Sequence, residues 1–180
     1  MNAPALISIS FGVLLGGLYG WMFAKPDAFR KAMTAFPRNI PVGVVLVAIS
    51  LAWFGFKVTE VDFGPFSPAK KALYVILPFF VWGMWRYTPD FISIRGLGFL
   101  LLLAGNPILV MVRWHGSLAH YAVAVLVYLI VIKFCFLIIY PNLWKRGLDW
   151  MYGEEGRVKK LAASGLGLAA FMLLAGLVSI

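Results

Sequence analysis

"AHYAVAVLVYLIVIKFCFLIIY", residues 119–140, is a run of 22 residues with one strongly charged side chain, Lys133. As a helix it rises about 33 Å, enough to cross a hydrocarbon core of about 30 Å. A soluble domain can bury one such run, but the whole chain has the same character. Of its 180 residues, 62% are hydrophobic and only 13% charged, too few polar groups to cover a water-facing exterior. Lipid as solvent lifts that demand and imposes another. Backbone amides and carbonyls must then pair within the protein, which leaves helices or a closed barrel. The apolar runs are about 17 to 22 residues long, rich in Leu, Ala and Gly, and do not alternate in short strands. Helices follow.

Working outward, the pattern predicts an all-α integral membrane protein, with residues 1–180 forming one polytopic membrane domain of six transmembrane helices. Five spans are expected at residues 5–24, 40–56, 94–112, 119–140 and 161–180. The third is the weakest, because only Ala72 to Trp85 is continuously apolar. Those 14 residues rise about 21 Å, short of the core. Ser67 followed by Pro68 reads as an N-cap with proline at the first helical position. A helix over 68–87 reaches across if Lys70 and Lys71 snorkel. The opening "MNAPALISIS", residues 1–10, has no Lys or Arg ahead of its apolar run, so the first span is expected to be retained rather than cleaved.

Charge sets the expected orientation. The connections after spans one, three and five carry Lys25, Arg30, Lys31, Arg38, Arg86, Arg95, Lys145, Arg146, Arg157, Lys159 and Lys160, eleven cations. The other connections carry four: Lys57, Lys70, Lys71 and Arg113. The excess places the odd-numbered loops inside and both termini outside, in a bacterial-type inner (plasma) membrane. The net charge of +9 does not imply nucleic acid, because the cations flank apolar runs instead of forming one face.

Two segments repeat. "PDAFRKAMTAF", residues 26–36, and "PNLWKRGLDWM", residues 141–151, align with Pro26 on Pro141, Phe29 on Trp144 and Arg30-Lys31 on Lys145-Arg146. Phe29, Met33 and Phe36, like Trp144, Leu148 and Met151, fall at i, i+4 and i+7, one helical face. Each segment is expected to be a short amphipathic helix in the cytoplasmic interface, its apolar face toward the bilayer and its cations on anionic headgroups. A shorter echo, Pro89-Asp90, precedes span four, and the fold reads as three hairpins of paired spans.

Gly12, Gly16 and Gly20 are spaced by four in span one, a face that lets another helix backbone approach closely. Span six, rich in small residues, is the expected mate, with a second copy or another membrane protein as the other possible partner. Asn106-Pro107 in span four marks a kink locked by an interhelical hydrogen bond or a solute site at a broken helix. Lys133 is the one strongly charged residue inside a span, either snorkelling or functional. Glu60, Asp62, His115 and His120 are candidates in the outer loops, but their spacing meets no metal-site rule. Cys135 stands alone, and no nucleophile elbow, phosphate loop or dinucleotide fingerprint occurs. Neither metal nor cofactor is expected.

Three functions compete. The favoured one is a non-catalytic helical bundle or accessory subunit of a membrane assembly. The alternatives are a small-solute or lipid transporter using Asn106 and Lys133, and an outer-face enzyme using the His and acidic residues.

Overall fold

A computed structural model describes residues 2–62, 64, 69–87, 90–114, 116–154 and 156–180, with Ala69 and Lys70 described by backbone alone. Among these residues there is no strand. Eight α-helices follow in order: α1 (Ala3–Ala24), α2 (Pro26–Ala35), α3 (Ile40–Glu60), α4 (Ala69–Tyr87), α5 (Ile92–Val112), α6 (Leu118–Ile139), α7 (Asn142–Tyr152) and α8 (Arg157–Val178). One 3₁₀ turn, Phe36–Arg38, leads into α3.

Proline sets the two elbows. A residue before proline is driven out of the helical region by the pyrrolidine ring. Lys25, before Pro26, has φ −137° and ψ 70°, while its N–H still bonds to the Trp21 carbonyl at 2.9 Å. The next helix then starts on the proline, whose fixed φ suits a first turn. Tyr140, before Pro141, ends α6 the same way, donating to the Phe136 carbonyl at 2.8 Å. Elsewhere a polar side chain does the work. Asn39 caps α3 by accepting from the Val42 N–H at 3.3 Å, and Ser117 accepts from His120 N–H at 3.3 Å to cap α6.

Five helices, α1, α3, α5, α6 and α8, are long and apolar enough to cross a membrane. The remaining long helix, α4, is not among them. It has 19 residues, carries Lys70, Lys71 and Arg86, and has Pro78 in its interior. Ser67 and Pro68, the expected cap, and Pro89 lie outside the described residues.

The chain divides into two units. One comprises Met1–Thr34, Ala104–Lys133 and Asn142–Ile180. Its backbone is the seam between α1 and α8, which run antiparallel. Asn2 lies by Ser179, Ser8 by Met172, and Met22 in one cluster with Ala162. Such a seam rests on close packing. Small residues provide it. A methyl added at Gly12 would sit 2.6 Å from Leu173 Cγ, and one at Gly176 would sit 3.0 Å from the Ala5 carbonyl oxygen. The Tyr19 ring fills the space where Gly165 lacks a side chain. Ser8 Oγ, fully buried, donates to the Met172 carbonyl at 2.7 Å. Beside the seam, Val112, Val123, Leu126, Val127 and Met172 form a buried cluster.

The other unit comprises Ala35–Leu103 and Phe134–Pro141. Here α3 and the first half of α5 run parallel: Asn39 lies by Ser93, Ser50 by Gly96, and Phe54 shares an apolar crevice with Leu102 and Leu103. The crossing is tightest at two glycines. A Cβ on Gly43 would lie 2.7 Å from the Ser93 nitrogen, and one on Gly96 would lie 3.1 Å from the Gly43 carbonyl oxygen. Two hydroxyls reinforce it, Ser93 Oγ donating to the Asn39 carbonyl at 2.7 Å and Ser50 Oγ shared between the Leu46 (2.7 Å) and Gly96 (3.3 Å) carbonyls. Against α3, α4 runs antiparallel, with Leu77 against Gly55 and Phe80 lining the same crevice as Phe54.

Candidate interfacial site

The two repeated segments, 115 residues apart in sequence, are bonded to each other. Trp144 at the start of α7 donates its indole N–H to the Met33 carbonyl near the end of α2, at 2.9 Å. Tyr152 at the end of α7 donates its hydroxyl to the Pro26 carbonyl at the start of α2, at 2.7 Å. The two short helices therefore run antiparallel, tied at both ends. The Pro26 carbonyl lies in the first turn of its helix, where carbonyls still have a spare lone pair to offer.

Their apolar stripes differ from the sequence expectation. The stripes pack on protein. Phe29, 6% exposed, packs in a cluster with Met22, Val158 and Ala162, joined by Met33, Met151, Tyr152, Tyr19 and Leu161. Amphipathicity alone cannot tell a lipid surface from a helix pair, since both accept an apolar face. What points outward is a ring of aromatic and apolar groups, Trp21, Phe23, Leu143 and Trp150, beside the exposed cations Arg30, Lys31, Lys145 and Arg146.

Arg30 and Tyr152 couple the helices further, with the guanidinium carbon 4.9 Å from the ring centroid. Burial pushes the Tyr152 phenol above its ordinary value of 10.0; Arg30 opposes the rise and Asp27 adds to it. The phenol thus stays protonated, as a donor to Pro26 must. At the turn into α8, Arg157 closes the end of α7. It ion-pairs with Glu154, donates to the Trp150 carbonyl at 2.7 Å and lies over the Trp150 ring at 4.6 Å. Gly156, at φ 85°, makes the left-handed turn that a side chain would resist.

A Cβ added at Gly12 or Gly16 would meet α8, at Gly16 3.8 Å from Ala169 Cβ, while one on Gly20 would meet nothing within 4 Å. Pro107 sits inside a continuous α5, Asn106 is exposed, and no hydrogen bond reaches the Asn106 amide among the described residues. Lys133 is likewise exposed on α6 and unpaired among the described residues. Glu60 pairs with Lys57 at 2.8 Å, and Asp62 Oδ1 accepts from the Gly64 N–H at 2.9 Å. His120 Nδ1 lies 2.5 Å from the Val112 carbonyl, which can only accept, so Nδ1 carries a proton and the imidazole closes the C-terminus of α5. His115 lies outside the described residues. No group of three metal-ligating side chains occurs among the described residues.

Fold and site together define an all-helical protein with several helices able to span a membrane. Comparison with protein-family models, curated proteins and solved structures finds no match for this chain.

Proposed function

We propose that the protein is a small multi-pass plasma-membrane protein of six spans in three hairpins, non-catalytic, serving as a helical bundle or accessory subunit. Both termini lie outside, and the α2·α7 pair rests on anionic lipid at the cytoplasmic rim. One observation carries the six-span reading: the directions of neighbouring helices. Successive spans alternate in direction, so a first and last span that run antiparallel require an even number of crossings. The pairing of α1 with α8 is antiparallel along its length. Five crossings would make it parallel. Independently, α3 and α5 are parallel, so the chain crosses once between them, and α4 is the helix available. Its 19 residues rise about 28 Å, close to the core thickness of about 30 Å, with Lys71 near one end and Arg86 at the other for the headgroups.

For the activity, the acidic and histidine candidates with described positions already hold structural bonds. A transporter reading asks for a polar cavity lined by Asn106 and Lys133, and both are exposed. The cations on α2 and α7, each worth about 1 kcal/mol near an anionic surface, favour a lipid-seated platform. Purification in mild detergent followed by native mass spectrometry tests this. Anionic phospholipid is expected to stay bound to the wild type and to fall about ten-fold or more when Arg30, Lys31, Lys145 and Arg146 are all replaced by Gln. Equal retention by both proteins would remove the platform from the account.

A further inference from the structure

The second half of α5 has two faces. Gly105, Ile108, Leu109 and Val112 turn into the bundle: Gly105 lies against Val131 and Val127, and the others join the buried cluster around Met172. At 100° per residue, Asn106 falls on the flank of that face and Val110 nearly opposite it. Both are exposed, Val110 at 57%. The Asn106 amide has two donors and an acceptor and no hydrogen-bond partner among the described residues. Seven residues before Arg113, it lies about 10 Å below the outer end of the helix, too deep for the headgroups to reach. A primary amide left bare in hydrocarbon is costly, and polar residues there pair across helices.

We propose that Asn106 joins two copies of this chain, α5 against α5 about a twofold axis along the membrane normal. The amide is its own complement: the N–H of one copy meets the C=O of the other, and the symmetry repeats the bond in reverse. A single exposed amide flanked by an apolar surface suits a second copy better than a foreign helix, which would have to bring its own polar group to the same depth. Val110, one turn on, packs against its counterpart. Arg113, a further turn on, keeps its charge, with its guanidinium over the Trp114 ring, 5.3 Å from the centroid; at the helix end water and salt screen its repulsion from its counterpart.

The proposal rests on α5 crossing the bilayer, and the test separates the two. In a full-length Cys135→Ser background, Val110→Cys is oxidised in native membranes. Disulfide-linked dimer at twice the monomer mass is expected, and adding Asn106→Leu should lower its yield about 3- to 30-fold, the range of one or two interhelical hydrogen bonds. Dimer yield unchanged by Asn106→Leu, or cross-linking to a different protein only, overturns the proposal. A water-soluble maleimide supplies the separate check on crossing: it should fail to label Asn106→Cys in sealed vesicles and label it once detergent is added. Labelling in sealed vesicles would refute the crossing itself. Because Asn106 is exposed, Asn106→Leu is expected to melt with the parent protein, and a large drop in melting temperature would instead assign the amide an internal role.

Discussion

The two helix seams solve one problem in different ways. Where α1 meets α8, contact extends along the whole length of both helices, and glycines alternate with Ala and Ser so that each side chain finds a small residue opposite. Where α3 meets α5, the approach is concentrated at Gly43 and Gly96, with backbone almost touching backbone, and hydroxyls from Ser50 and Ser93 bridge to carbonyls. The first seam can relax by moving a side chain. The second has less room to do so, because a new methyl at Gly43 would strike the Ser93 nitrogen at 2.7 Å as well as the Ile92 side chain, against 3.0 Å for the nearest main chain at Gly12. The difference in rigidity decides their sensitivity.

That difference orders three glycine substitutions. Gly43→Ala should cost most, about 2–3 kcal/mol of overpacking, since the Ser93 nitrogen stands 2.7 Å from the new Cβ. Gly12→Ala should cost less, about 1 kcal/mol, because the first obstacle is the flexible Leu173 side chain. Gly20→Ala should change stability by no more than about 0.5 kcal/mol, there being open space at that point. Thermal unfolding in one detergent ranks all three, and a reversed order of Gly43 and Gly12 would break the comparison of seams. Among the hydroxyls, Ser8→Ala leaves the Met172 carbonyl with one bond fewer and should cost about 0.6–1.7 kcal/mol.

The α2·α7 pair gives a modest effect and a pH signature. Tyr152→Phe removes the bond to Pro26 and should cost about 0.5–1.5 kcal/mol. The phenol has a folded value raised above its ordinary 10.0, chiefly by burial. A group raised on folding contributes fully below the unfolded value and loses that contribution as pH climbs through the folded one. The gap between wild type and Tyr152→Phe should therefore stay constant from neutral pH to about pH 9 and close only in stronger alkali, which melting curves against pH can follow.

Much of this was legible in residue order. The helices stand where the apolar runs stand, and both elbows follow from a residue placed before proline. The repeat at Pro26 and Pro141 foretold two short amphipathic helices, and both exist. Their mutual bonding was not legible: Trp144 and Met33, or Tyr152 and Pro26, are linked across more than a hundred residues, and no local pattern encodes the partner of an indole N–H. The stripe at Phe29 and Met33 looked lipid-facing because periodicity reports an apolar environment without saying whether it is lipid or protein. Gly43, Ser50, Ser93 and Gly96 also escaped, although small residues spaced by three and seven were there to be read. Gly20 shows the converse: spacing by four drifts about 40° per step, and by Gly20 the stripe has turned off the α8 face, where a Cβ would meet nothing within 4 Å.

The central claim is that α4 crosses the membrane, making the number of spans even. Single cysteines at Asp62, after α3, and Asp90, before α5, in a Cys135→Ser background test it in sealed right-side-out vesicles with a membrane-impermeant maleimide. Asp62→Cys should label from outside and Asp90→Cys only after the vesicles are opened. Labelling of both from the same side would contradict the six-span account and leave the antiparallel α1·α8 seam without its explanation.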